Sequence, residues 1–201
     1  MKSTFYPPLC FLLLGLLPAA KAQVDISGHV RTYDNEDMEG VSVTLTGPGV
    51  SMNTQTDVNG DYLFSGVPEN QTYTVCVDND IDPLNGVSTF DLVLTDKHMQ
   101  FVQLFDTPHK IICADATGDD LVDVADIMTM RMLILGVITT YPSGVPSWRF
   151  VPADWIPDPL NPFPLPLPLQ CKEIVVGSSN FTGVDFIGDK TGDVNGSAVP
   201  Y

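Results

Sequence analysis

Gly40-Val41-Ser42-Val43-Thr44-Leu45 and Thr56-Asp57-Val58-Asn59-Gly60-Asp61-Tyr62-Leu63-Phe64 decide how the first third of this 201-residue chain folds. In the first stretch Val41, Val43 and Leu45 alternate with Ser42, Thr44 and Thr46. That period of two turns one face of a β-strand to a core and the other to water. In the second, a turn built on Asp57, Asn59 and Asp61 holds Gly60, where left-handed geometry costs little. Tyr62 and Phe64 then resume the alternation, and their rings are expected to face inward. Ile26, Gly28 and Val30 upstream, and Tyr73, Val75 and Val77 downstream, read as further strands. Short strands between turn residues, with no helical period, predict a small antiparallel β-sandwich over residues 23–78.

Upstream of the sandwich lies an export signal. Lys2 supplies a positive start, residues 9–17 an apolar run, and Ala20-Lys21-Ala22 small residues at the two positions a signal peptidase reads. Cleavage after Ala22 is expected, and the run is too short to span a bilayer. No other stretch is long and apolar enough to cross, so the sequence predicts a secreted or cell-surface chain. With Cys10 removed, Cys76, Cys113 and Cys171 remain. The number is odd, so one internal disulfide at most can form; Cys113 with Cys171 is the preferred pair.

The charge narrows the function. Of 25 acids, 21 are Asp and 4 are Glu, against 9 Lys and Arg. Too few cations are present to meet nucleic-acid phosphates. With hydrophobic residues at 44%, a core can form. Asp suits turns, helix caps and oxygen cages rather than helix interiors. Residues 78–126 carry 11 acids and only Lys97 and Lys110, a local net of −9.

In that acidic region two similar units lie 35 residues apart. Asp91 opens an apolar stretch of helical spacing to Phe101 and Val102; Asp126 opens another, closed by Gly136. Before the second helix runs Asp115-Ala116-Thr117-Gly118-Asp119-Asp120-Leu121-Val122-Asp123-Val124-Ala125-Asp126. Asp115, Thr117, Asp119, Asp123 and Asp126 fall at the first, third, fifth, ninth and twelfth places, and Leu121 at the seventh offers its backbone carbonyl. This is calcium-loop spacing: a hard cation takes about six to eight oxygens, and a loop curling round one point presents alternate residues to it. The competing reading is a solvated acidic turn capped by Asp126. The first unit is poorer. Asp80, Asp82, Ser88 and Asp91 fill the first, third, ninth and twelfth places, but the fifth is Leu84, with Asn85 beside it.

Two resemblances follow from these residues. Ile26-Ser27-Gly28-His29-Val30, the stretches quoted at the outset, Val67-Pro68 and Tyr73-Thr74-Val75 look like a carboxypeptidase regulatory-like (prealbumin-like) domain of exported bacterial proteins. The resemblance implies a non-catalytic spacer or adhesive sandwich, a fold sometimes grouped with carbohydrate-binding ones. A calcium loop followed by a helix, twice, resembles a type I dockerin; Asn85-Gly86-Val87-Ser88-Thr89-Phe90-Asp91-Leu92-Val93-Leu94, Ser147-Trp148-Arg149-Phe150-Val151-Pro152 and Gly192-Asp193-Val194-Asn195-Gly196-Ser197-Ala198 look like phrases of dockerin-like regions in secreted Bacteroidetes-type proteins. It implies calcium as cofactor and a protein partner, a cohesin-like domain or surface scaffold, in polysaccharide-degrading or surface assemblies.

The expected architecture is therefore multi-module, β plus α. A signal peptide (1–22) and the sandwich (23–78) precede a dockerin-like pair of loop–helix units (79–140). A proline-rich wrap with short strands at 174–176 and 184–187 (141–201) packs on those units. The wrap holds nine prolines within residues 141–169 and ends in Pro162-Phe163-Pro164-Leu165-Pro166-Leu167-Pro168. Asp193-Val194-Asn195-Gly196-Ser197 opens like a calcium loop but has no helix after it; it is expected to fold back and supply oxygens to the first loop. No HExxH, GxSxG, Walker or GxGxxG pattern is present, so a non-catalytic protein is expected. A carbohydrate-binding sandwich, or a fragment of a larger adhesin, is the alternative.

Overall fold

The computed structural model describes residues 22–158, 161–163 and 170–200. The export signal, apart from Ala22, and the proline run 164–168 lie outside the described residues. Five strands come first, β1 Gln23–Thr32, β2 Ser42–Gly47, β3 Val50–Gln55, β4 Asp61–Pro68 and β5 Gln71–Asp78, all but β3 where the alternation predicts them. Three helices follow, α1 Thr89–Met99, α2 Pro108–Ala114 and α3 Val124–Ile134. After a 3-10 turn at Pro142–Gly144 the chain returns to strand as β6 Trp148–Pro152, β7 Cys171–Val176 and β8 Phe186–Lys190.

Two four-stranded sheets face each other, ordered β4-β1-β8-β6 and β3-β2-β5-β7. The inward residues of the early strands, including Ile26, Val43, Leu45, Phe64, Tyr73 and Val75, are buried, and Tyr62 packs edge-on to Phe64 at 5.8 Å. The inward expectation for both rings is thus met. Phe150, Trp148, Ile174, Val176 and Phe186 complete the same core.

That completion revises the expected organisation. The strands expected to pack on the helical unit enter the sandwich instead. β7 pairs antiparallel with β5, while β8 lies between β1 and β6 and runs parallel to β1, with Val30 opposite Phe186. The sandwich is therefore not wholly antiparallel. The physical reason is edge protection: without the returning strands, β1 and β5 would leave unpaired backbone rows and half-covered apolar faces. The helices are thus an excursion out of one sandwich.

The cysteine pairing is also corrected. Cys76 and Cys171 are direct partners in the β5/β7 register and form the disulfide, with Cα atoms 4.0 Å apart. Cys113 is a free, fully buried thiol on α2, so the preferred Cys113–Cys171 pair does not form. A disulfide suits an oxidising, extracellular compartment, and among the described residues no helix is long and apolar enough to cross a membrane.

The first helix is shorter than its apolar stretch. α1 ends at Met99; Phe101 turns left-handed at φ 57° and stands exposed with Val102. α2 was not read from the sequence. It has seven residues, capped by Thr107 with Pro108 at the first turn. α1 and α3 close over Val87, Met130, Leu133 and Tyr141. A smaller cluster ties Cys113 and Ala114 to Val194 near the C-terminus.

Candidate metal centre

Each loop ends in a helix whose start is built the same way. Ser88 caps α1 and accepts from the Phe90 amide; Asp123 caps α3 and accepts from the Ala125 amide at 2.6 Å. The twelfth-place carboxylates sit three residues on. Asp91 Oδ2 accepts from the Ser88 amide at 2.8 Å, and Asp126 Oδ2 from the Asp123 amide at 2.8 Å. Both are capping boxes, which hold each carboxylate at a helix N-terminus where the dipole favours negative charge.

The other oxygen of each carboxylate reveals the frame. Asp126 Oδ1 accepts from the Thr117 amide at 2.9 Å and hydroxyl at 3.0 Å. Asp91 Oδ1 accepts from the Val194 amide (3.0 Å), the Asn195 amide (3.2 Å) and the Asn195 side-chain Nδ2 (2.8 Å). Asn195 therefore stands to Asp91 as Thr117 stands to Asp126. The residues two places earlier correspond too. Asp115 Oδ1 accepts from the amides of Gly118 and Asp119, and its Oδ2 from Asp120. Asp193 Oδ1 accepts from the amides of Asn195 and Ser197, and its Oδ2 from Ala198. Gly118 and Gly196 occupy the same left-handed turn, at φ 74° and 70°.

One frame is thus continuous, residues 115–126. The other is split: Asp193, Asn195 and Gly196 form its first half, and Ser88 and Asp91 its second. The C-terminal turn does fold back onto the first unit as expected. It docks tightly, because Gly86 (φ 78°) lets the Ala198 backbone and the Asp193 carboxylate approach; a Cβ there would lie 2.6 Å from each. Ser197 Oγ donates to the Gly86 carbonyl at 3.0 Å.

The remaining candidates are placed differently. Asp80 accepts from the Ser147 amide at 2.7 Å, a contact to the chain entering β6. Asp82 adopts a left-handed turn at φ 44° just before Pro83. The first place that the spacing gave to Asp80 is thus held by Asp193. Asp119 accepts from the Leu121 amide at 3.1 Å, so it and Asp123 are turned onto their own loop and helix start. Among the described residues no group of three or more His, Cys, Asp or Glu side chains stands ready as a metal cage.

The electrostatics nonetheless fit a divalent cation. Asp91, Asp115 and Asp126 are fully buried and Asp193 nearly so. Burial raises the Asp126 and Asp193 carboxyls despite the amides that hydrogen-bond them, and neighbouring carboxylates (Asp115 and Asp91 respectively) push in the same direction. Such groups gain from a nearby cation. Hydroxyl, amide and carbonyl oxygens of Thr117, Asn195 and Leu121 are donors of the class calcium takes.

Several buried charges were not read from the sequence. Arg149 on β6 donates to Asp115 Oδ2 at 3.0 Å. Lys190 on β8 is 2% exposed, lies over the Trp148 ring at 5.7 Å and donates to the Pro83 carbonyl at 3.0 Å; burial brings its amine down to about 8. His109 is bound to the buried Asp189 at 2.9 Å. Burial pulls this imidazole down, but the hydrogen bond and charge of Asp189 outweigh it and leave it raised. For Arg149 and Lys190 the only signal was a charged residue set in a strand; His109 lies on the short helix α2 and gave none. Cys113, on the same helix as His109, is pushed well up by burial, the opposite of an activated nucleophile.

At one end of the sandwich an open cleft of about 640 Å³ is lined by Ser27, His29, Gln55, Asp61 and Asp185 among others. His29 lies 3.0 Å from Asp61 and 3.1 Å from Asp37. Tyr62 also lines the cleft but is 4% exposed, with its hydroxyl donating to the Val184 carbonyl.

No curated protein is similar enough to the chain to match it. Residues 25–80 match the family model described as a carboxypeptidase regulatory-like domain. The matched segment, β1 to β5 apart from the first two residues of β1, supplies five of the eight strands of the β-sandwich.

Proposed function

We propose that this is an exported, non-catalytic attachment or display module whose helical excursion binds calcium at two places, the continuous loop 115–126 and the split frame of Asp193, Asn195, Ser88 and Asp91. The observation that carries the reading is the pair of matching closures: the Thr117 and Asn195 amides each donate to Oδ1 of a buried Asp, Asp126 and Asp91, whose Oδ2 completes a capping box. In the calcium-bound form the carboxylates of Asp115, Asp119, Asp123 and Asp126, with Thr117 and the Leu121 carbonyl, would hold one ion. Calcium supplies charge neutralisation there; the chain supplies oxygens on a rigid helix start.

Attachment is supported by an exposed apolar row on α3 and its C-cap. Val124, Met128 and Leu135 are 60%, 58% and 65% exposed, spaced to share one face. Apolar side chains in a row of this kind mark interaction surfaces in soluble proteins. A cohesin-like domain or surface scaffold is the partner this reading names, in a polysaccharide-degrading or surface assembly. The glycan-binding alternative has the cleft beside His29 as its place. Tyr62 offers no open ring face there on which a sugar could stack.

The test is calorimetric titration of the EDTA-stripped chain from Gln23 onward. Uptake of two calcium ions is expected. Asp126→Asn should weaken one site at least tenfold and leave the other, and Asp91→Asn should do the converse, since each removes a charged oxygen ligand. Absence of any calcium heat would overturn the reading.

A further inference from the structure

Arg149 is a buried cation bound directly to the continuous frame. It sits in β6, whose five residues are all buried, and is itself 5% exposed. Its guanidinium makes three contacts in the loop region. One nitrogen donates to Asp115 Oδ2 at 3.0 Å and reaches the Ile112 carbonyl at 3.4 Å; the other donates to the Asp115 carbonyl. Asp115 is fully buried and belongs to a loop with four other Asp, at 119, 120, 123 and 126. A buried carboxylate without a partner is strongly unfavourable, and a fixed guanidinium supplies both charge and directed donors.

We infer that Arg149 is a tethered counter-cation, a positioning residue carried on the sandwich that keeps the 115–126 loop folded without an ion and shares the charge of Asp115 with calcium when calcium binds. The calcium part rests on the reading above; the tethering part does not. The idea links the two regions of the molecule. β6 lies beside β8, and Arg149 faces Asp189 in their register. The strands that complete the sandwich therefore also set the state of the loop. In ion-dependent loops the unbound form is held apart by carboxylate repulsion. Here one carboxylate is already neutralised from within.

The experiment compares melting temperatures of the full chain from Gln23 in EDTA and in 1 mM calcium. Arg149→Met keeps length and removes charge. It should melt well below wild type in EDTA, and calcium should raise its melting temperature at least twice as far as it raises wild type. Arg149→Lys should fall between them, and it keeps the comparison open if Arg149→Met does not fold. Adding Asp115→Asn to Arg149→Met removes the orphaned charge and should recover part of the EDTA loss while abolishing the extra calcium response. An Arg149→Met chain as stable as wild type in EDTA would overturn the inference, whatever calcium does. A calcium shift no larger than in wild type would overturn the shared-charge part. If wild type takes no calcium in the calorimeter, the calcium reading fails, while the EDTA comparison still decides whether Arg149 tethers the loop.

Discussion

Replacing Cys76 and Cys171 together by serine should lower the unfolding free energy by about 4–5 kcal/mol. The bond closes a loop spanning 95 residues, and in the chain-entropy account a loop of that size gives about 4–5 kcal/mol by restricting the unfolded chain. All three helices and β6 lie inside that loop, so the bond fixes the ends of the whole excursion. For a chain of this length the loss corresponds to roughly 10–15 °C in melting temperature. Reductant should reproduce it in wild type and have no effect on the double variant. Buried Cys113 should not substitute. A change below about 1 kcal/mol in chemical denaturation would show that the β5/β7 ladder alone holds the ends together.

The second large effect concerns the matched segment in isolation. A fragment of residues 23–80 should show no cooperative unfolding transition. It keeps β1 to β5 but loses β6, β7 and β8, and with them Trp148, Phe150, Ile174, Val176 and Phe186 from the core. Removing a single buried Phe side chain typically costs about 3–5 kcal/mol, as much as many domains can spare. The fragment also exposes β1 and β5 as edges open to aggregation. Circular dichroism against temperature and urea measures this. A sharp reversible transition in the fragment would mean that the family segment folds alone and that the C-terminal strands are accessory.

These two expectations mark where the sequence was legible. The early strands were readable because Val41, Val43 and Leu45, and Tyr62 and Phe64, carry their burial pattern within a few residues. α1 and α3 were readable for the same reason, an Asp heading an apolar stretch of helical spacing, although the helices begin two residues before Asp91 and Asp126, capped by Ser88 and Asp123. What could not be read was long-range. Phe186 joins Val30 across 156 positions in parallel, and nothing local distinguishes a strand that joins a sheet from one that packs on helices. Cys171 faced the same difficulty, since its partner follows from the register of β7 on β5 and not from spacing. α2, only seven residues long, is too short to show a period.

The site divides in the same way. The continuous frame at 115–126 follows from spacing, whereas the split frame needs the tail to return. The spacing rule gave the first place of that frame to Asp80, the residue in line, and the fold gives it to Asp193, more than a hundred positions away. The turn motif at Asp193-Val194-Asn195-Gly196 was visible; that its Asn195 amide would meet Asp91 is a property of the sandwich that carries it there. Arg149 and Lys190 were opaque because a lone charge in an apolar strand names no partner until the strand is placed.

Native mass spectrometry of the chain from Gln23, stripped with EDTA and returned to calcium, tests the central claim most directly. The account predicts a bound species heavier by two calcium ions, falling to one in Asp126→Asn and to one in Asp91→Asn, with magnesium a poor substitute because of its stricter octahedral demand. A chain that keeps its metal-free mass in millimolar calcium would contradict it.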